Sequence, residues 1–347
     1  ATMSGKVTAQ DEPIIGATIV AIHEPSGTRY GTVTNVSGQF NLQGMRTGGP
    51  YKVEISYVGY QTAIYKGINL LLGENYVLNV SLKESSELLD EVVVTASKES
   101  NMKSDRAGAI MNANRDMISN TPTISRSISD IMRLSPQGAD VGNGFAVGGG
   151  NYRQSFVTVD GAAFNNTFGL GGNLPANGSP ISLDALEQVT VAVTPFDVRQ
   201  SGFTGGAINA VTRSGDNQFR GTAYMYFNNE NLKGSKVDDY ELLRSKAQYY
   251  TYGASFGGPI IKDKLFFFVN GEYEDNVTAG SNYRPRTALG ESYSGGNIHR
   301  PLQSDMDDMR GFLLNKYNFD PGKYNDYSTD TPAYRVMARV DWNARSE

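Results

Sequence analysis

From Gln218 onward the chain alternates apolar and polar residues with a period of two, the pattern of strands whose faces meet different surroundings. Phe219, Gly221, Ala223, Met225 and Phe227 share one face, and Gln218, Arg220, Thr222, Tyr224 and Tyr226 share the other. Leu265, Phe267, Val269 and Tyr273 likewise oppose Phe266, Phe268, Asn270, Glu272 and Glu274. Tyr334, Val336, Ala338, Val340 and Trp342 oppose Arg335, Met337, Arg339, Asp341 and Asn343, and 248–257 alternates more softly. The connections run long (228–247), short (258–264) and very long (276–331), as extracellular loops and periplasmic turns do. The four strands are therefore expected to be consecutive neighbours in the wall of a transmembrane antiparallel β-barrel. Phe219, Met225, Phe267, Val336 and Trp342 should face lipid, and Arg220, Glu272, Arg335 and Arg339 the lumen. A soluble sandwich also alternates, but a structureless connection as long as 276–331 is uncommon in a compact domain.

The first 83 residues read differently. Short apolar runs around Val7 and at 17–22, 31–35, 39–42, 51–56, 61–65 and 75–82 are separated by turn residues such as Pro25-Ser26-Gly27 and Gly48-Gly49-Pro50, which predicts a small β-sandwich. Tyr57, Gly59 and Tyr60 fit core or edge packing better than a sugar-stacking surface. Between the two regions, 97–213 opens rich in Ser and Asn. It then offers one helix-like segment from Ser125 to Leu134, with Ile128, Ile131, Met132 and Leu134 at helical spacing and Ser125 or Ser127 as cap. Short strands embedded in glycine follow. The glycines of 142–150 lack a following Gly-Lys-Ser/Thr, so they predict a tight turn rather than a phosphate cradle.

At the junction, Asp90 and Glu91 precede Val92, Val93 and Val94, followed by Thr95 and Ala96. Backbone preference there is extended while nothing fixes a buried face, so the segment suits addition to another protein's sheet edge as well as a place in a core. As a pairing strand, 88–100 should be extended, and unpaired at rest or releasable.

Composition narrows the chemistry. The 347 residues carry a net charge of -5, against nucleic acid as a partner. Cysteine is absent, which excludes disulfides and thiolate chemistry. Only His23 and His299 supply imidazoles, without a second His at ligand spacing, and both read as surface residues. No metal or cofactor site is expected. Asp305, Asp307, Asp308, Asp320, Asp326 and Asp330 lack EF-hand spacing and read as a hydrated loop rather than a calcium site. No apolar run reaches the about 18 residues of a membrane helix, and mean hydropathy is -0.39, which leaves a β-barrel open. No nucleophile has an adjacent base, so an enzyme is not expected.

Several runs carry a resemblance. GKV at 5–7, IGATI at 15–19, TNVSGQFNL at 34–42 and ISYVGYQT at 55–62 resemble a carboxypeptidase-regulatory-like sandwich. SISDIMRLSPQ at 127–137, VGGGNYRQSFVTVDGAAFNN at 147–166 and DALEQVTVAVTPFDVRQSGFTGGAINAVTRSG at 184–215 resemble the plug of TonB-dependent outer-membrane transporters of the Bacteroidetes type. With FGGPIIKDKLFFF at 256–268, they look more like the Oar-like branch than the SusC branch.

The resemblance implies a mainly β chain in four parts: a sandwich (1–85), a TonB box and linker (86–100), a plug of mixed α and β structure (101–215) and the first barrel strands with their loops (216–347). Family barrels have many more strands, so the chain is expected to be the N-terminal part of a longer polypeptide. The box, Asp90, Glu91, Val92, Val93, Val94, Thr95 and Ala96, would bind TonB, energised by ExbB and ExbD. Arg153, Asp160, Gly161, Gly202, Gly205 and Gly206 would be structural in the plug, with Glu187, Asp197, Arg199 and Arg213 as further plug charges. The resemblance implies active transport of an unidentified extracellular ligand across the outer membrane, with the sandwich in the periplasm, lipid around the barrel and a surface lipoprotein as a possible partner. A surface adhesin or assembly platform is the alternative.

Overall fold

The computed structural model describes residues 1–84, 110–123, 126–141, 144–166, 174, 179–193, 205–232, 234, 236–238, 240–241, 247–280, 283–293, 298–324 and 327–344, with backbone alone at 92–95, 236–237, 240–241 and 279. The chain is mainly β and divides into two compact units. One comprises 1–222, 255–271 and 335–347, and the other 223–254 and 272–334.

Two sheets around one core form the N-terminal sandwich. In the first, Thr2–Ala9 lies between Gln39–Leu42, antiparallel, and Asn75–Val77, parallel. The second has Ala63–Leu70, Gly48–Ser56, Thr18–His23 and Thr28–Val33 as successive neighbours. Met3, Val7, Ile19, Tyr51, Val53 and Ile55 are wholly buried between them, each on the inward phase of an alternating strand. The strand expected to end at residue 65 continues to Leu70 through a bulge, because Tyr51 pairs with Ile68 and Val53 with Tyr65. The extra residue falls at Lys66-Gly67, where φ is +78° at Gly67, so a Gly that reads as a turn is a kink within a strand. His23 is also buried, against expectation: its Nδ1 lies 2.7 Å from Ser26 Oγ, and its ring meets Tyr51 at 4.9 Å.

The central domain, 110–213, is a mixed sheet ordered Ile110–Ala113, Leu186–Ala192, Ala207–Thr212, Phe156–Val159 and Ala162–Ala163. Ile128–Met132 packs Ile128, Ile131 and Met132 into its core. The helix is shorter than its sequence pattern because Ser127 is the N-cap, its backbone N–H donating to Asp130 Oδ2 at 3.3 Å. A second helix, Arg115–Asn120, escapes the pattern because it buries only Ile118, and its Asn114 cap accepts from Met117 N at 2.9 Å.

Arg220–Asn229, Gln248–Ile261, Leu265–Ala279 and Ser328–Trp342 are neighbours in chain order in one four-stranded sheet. The second strand runs on through Gly258-Pro259-Ile260-Ile261, so the expected 258–264 turn contracts to 262–264 with φ of 62° at Asp263. Burial alternates along the third and fourth strands, whereas the first is exposed along almost all of its length, Arg220 included, against its expected inward place. Phe266, Phe268 and Asn270 are buried, while Val336 is 87 % exposed beside an Arg335 that is 5 % exposed. Phe219, Phe256 and Phe267 meet on the outer side at ring separations of 5.7–6.5 Å.

In the second unit, the 276–331 connection is structured rather than the structureless loop its sequence suggests. It holds Arg284–Arg286 paired in parallel with Ile298–Leu302, and the helix Gln303–Tyr317, ended by Asn318 in the left-handed conformation at φ 50°. That helix has no buried residue, so it leaves no apolar periodicity to read. Within the acidic set, Asp320 takes both Arg310 nitrogens at 3.1 Å and Asp307 accepts from Tyr324 Oη at 2.6 Å. His299 is exposed against Tyr283, with rings 4.3 Å apart.

Gly5 tests the sandwich packing, since a Cβ there falls 1.8 Å from Leu78 O, a backbone atom that cannot swing aside. Gly5→Ala is expected to cost about 3 kcal/mol of sandwich stability. An unchanged thermal unfolding midpoint would contradict this packing.

Candidate functional site

The charged side chains of the first unit converge where the sandwich, the central domain and the strand bases meet, lining a cleft of about 420 Å³. Arg46, Arg115, Glu187, Arg213, Arg220 and Arg339 project toward it. Asp184 is the anchor. The 3₁₀ turn Leu183–Ala185, capped by Ser182, presents its carboxylate to Arg115 at 3.1 Å and Arg213 at 3.6 Å, and it accepts from Thr222 Oγ1 at 2.7 Å. Thr222 lies on the first wall strand, so the link joins the central domain to the wall. Arg213 also reaches Ser255 Oγ at 3.4 Å and lies over the Phe268 ring at 4.8 Å.

A second chain of charge begins at Asp160. The Asp160-Gly161 pair makes a two-residue hairpin between Phe156–Val159 and Ala162–Ala163, with φ of 48° and 84°. That turn aims the Asp160 carboxylate at Thr212, whose N–H donates at 3.0 Å and whose hydroxyl donates at 2.5 Å. Arg339, on the last wall strand, donates to Thr212 O at 2.9 Å, lies 3.6 Å from Asp160 and pairs with Asp341 at 2.9 Å. Asp341 stands 3.7 Å from Arg46 of the sandwich, and Arg46 donates to Ser214 Oγ at 3.2 Å. One polar path thus crosses all three parts. Arg335 Nε makes a separate link, donating to Ser179 O.

The sandwich is fastened independently. Leu72 N donates to Gln188 Oε1 at 3.2 Å, Asn217 N to Pro25 O at 2.9 Å, and Asn343 Nδ2 to Thr28 Oγ1 at 2.9 Å.

Of the expected structural residues, Asp160, Gly161 and Arg213 are in or beside this network. Gly206 is a close approach, its Cβ position 2.5 Å from Val147 Cγ1, while Gly205 packs on Gln154 at 3.4 Å. Arg153 is not part of the network; it sits exposed in a 3₁₀ turn, donating to Tyr152 Oη at 3.0 Å. Gly202, Asp197 and Arg199 lie outside the described residues, as do Asp90, Glu91 and Ala96. Val92–Thr95 is extended as expected but not unpaired. It joins Ala63–Leu70 in parallel, Val92 opposite Ala63, Val93 opposite Ile64, Val94 opposite Tyr65 and Thr95 opposite Lys66. Tyr57 and Tyr60 lie 5.7 Å apart next to a Val58 that is 92 % exposed, a loop tip rather than core. Sequence reasoning missed Arg46, Arg115 and Asp184 as a group, since their partners are far away along the chain.

Two carboxyls here are shifted in opposite directions. Burial pushes Asp184 up, but hydrogen bonds from Ser255 and Thr222 and the charges of Arg115 and Arg213 outweigh it and hold the group below its usual range. Its stabilisation is therefore present at neutral pH and lost as pH falls through the carboxylate range. Burial pushes Glu187 up, opposed by Arg115 and Arg213, so its ionised form is the less favourable one and protonation as pH falls relieves the cost. Asp184→Asn is expected to lose about 2 kcal/mol at neutral pH. Glu187→Gln should leave stability unchanged or raise it. Thermal melts at pH 7 check both, and the reverse ranking would contradict the network described.

Comparison with known proteins fits this architecture. Residues 2–83 match the family described as carboxypeptidase regulatory-like domain, and 211–335 match outer membrane beta barrel domain. The TonB-dependent transporter Oar of Myxococcus xanthus is 26 % identical over 225 residues, 63 % of this chain and 20 % of the relative. The TonB-dependent receptor SusC of Bacteroides thetaiotaomicron is 29 % identical over 269 residues, 73 % of this chain and 24 % of the relative. The chain therefore spans about a fifth to a quarter of these relatives. The crystal structure of the outer membrane transporter YddB from Escherichia coli overlaps 68 % of this chain and 31 % of that one, at 13 % identity and a TM-score of 0.48. A carboxypeptidase regulatory-like domain and an outer-membrane barrel domain occur in one chain, which is thus a protein of the Gram-negative outer membrane related to TonB-dependent transporters.

Proposed function

We propose that the chain forms the energy-coupled, gated part of an active transporter, with 110–213 as a plug held by the barrel strands and 90–96 as the segment that TonB engages. The carrying observation is that the polar face of the wall strands is occupied by the central domain. Thr222, Ser255, Arg335 and Arg339 all bond to it. A water-filled lumen would leave those groups solvated, whereas here each is spent on holding a domain in place. The polar holding links are individual charged or hydroxyl hydrogen bonds, which a directed pull breaks one at a time, and Phe268 and Met337 of the wall add a small apolar contact with the central core.

In this reading, ligand captured from outside favours engagement of the coupling segment by TonB, powered through ExbB and ExbD. Tension along 96–109 then reaches Ile110–Ala113, whose neighbour Leu186–Ala192 follows directly on the Asp184 turn. Loosening Asp184 would free the central domain from Arg220–Asn229. Nothing in the reading calls for a catalytic residue, and no ligand class is singled out. The TPFDVRQSGFTGGAINAVTRSG run supports placement in the Oar-like branch, with a surface lipoprotein not required.

The reading makes backbone pairing at Val93 essential. Val93→Pro removes an N–H donor from the strand and should reduce both TonB capture and energy-dependent ligand accumulation by about tenfold or more. Uptake and pull-down equal to the unmodified protein would contradict the assignment.

A further inference from the structure

Val92–Thr95 is the outermost strand of its sheet, with Ala63–Leu70 on one side and, among the described residues, no strand on the other. A strand sends its backbone N–H and C=O groups alternately toward its two neighbours, so one paired on a single side displays the remaining half as a template for another strand. The platform beneath it is firm. Ala63 and Ile64 are buried, and Ala63–Leu70 is held in turn by Gly48–Ser56. The platform is also anchored, through the Leu72–Gln188, Arg46–Ser214 and Asn343–Thr28 bonds to the central domain and the strand bases.

We propose that the N-terminal sandwich is a presenting template for the coupling segment: it holds Val92–Thr95 extended by one edge so that a strand of TonB adds to the other, continuing the same sheet. This deepens the transport reading and rests on it. A free four-residue segment must lose its conformational freedom when the partner binds, whereas a segment already laid against Ala63–Leu70 has lost it beforehand, and the partner's affinity rises accordingly. The occupant of the open edge is a protein strand rather than a small ligand, because what the edge offers is a row of main-chain groups at strand spacing. The sandwich then becomes part of the load path, passing tension to the domain it is fastened to. A masking sandwich, one that TonB must displace, would need TonB to use the edge that Ala63–Leu70 occupies; among the described residues the other edge is open.

The 347 residues hold no cysteine, so an introduced pair meets no competing thiol among them, and any cysteine elsewhere in the full-length protein is replaced by serine beforehand. Lys66→Cys with Thr95→Cys places thiols at registered positions of neighbouring strands, within reach of a disulfide, and Asn69→Cys with Thr95→Cys is the out-of-register control. Both are made in the full-length protein in outer-membrane vesicles. After oxidation, closure is read by mass spectrometry and binding by titration with the purified TonB C-terminal domain. The expected result is closure of the 66/95 pair but not of the 69/95 pair, with the oxidised 66/95 protein binding the TonB domain at least as tightly as the reduced one. Two results overturn the template: equal or no closure of the two pairs, or an oxidised form that binds about tenfold or more weakly and recovers on reduction, which is the signature of a mask. Absence of TonB binding by the unmodified protein would instead overturn the transport reading on which the template depends.

Discussion

A charge taken out of water must be matched by an opposite charge or by hydrogen bonds, and this requirement organises the first compact unit more than any apolar contact does. The wall strands have an inner face that carries Thr222, Ser255, Arg335 and Arg339 and an outer face of Phe219, Val336 and Trp342. Besides the Thr222–Ser255 and Arg339–Asp341 contacts within the wall, the inner groups meet Asp184, Thr212 and Ser179 O of the central domain. Arg46, Arg115, Arg213, Arg220 and Arg339 are balanced by Asp160, Asp184, Glu187, Asp216 and Asp341 at the same place. Of these, the five arginines with Glu187 and Asp216 line the cleft, and Asp160, Asp184 and Asp341 pair with the arginines from outside the lining. Its chemistry is that of a fastening.

That view separates what was legible in the sequence from what was not. Strict alternation exposed the wall and both of its faces, because strand periodicity survives without knowledge of the partner. The sandwich strands were legible for the same reason, except where Gly67 supplies a bulge that looks like a stop. The Gln303–Tyr317 helix was invisible because it buries nothing, and periodicity reports only burial. The Asp160-Gly161 turn could be read from two residues. The Arg115–Asp184–Arg213 cluster could not, since a helix start, a 3₁₀ turn and a strand end meet only after the sheet has formed. Arg153, a charge inside a suggestive motif, sits on an exposed turn and bonds to Tyr152 there.

The same physics bears on the proposed role of the sandwich. It is joined by polar contacts to the central domain and to the wall base, and it pairs with the Val92–Thr95 backbone, so it lies between the segment proposed to receive force and the domain proposed to move. Links made of single hydrogen bonds suit a device that must release and re-form, whereas an extensive apolar seam would resist directed opening.

The most direct test of the central claim is single-molecule pulling on the full-length protein in a supported bilayer, with the TonB C-terminal domain on the probe. Coupling through 92–95 to a releasable central domain predicts stepwise chain extension assignable to 110–213 before the TonB contact ruptures. Rupture of the TonB contact with no preceding extension, at any loading rate, would contradict it.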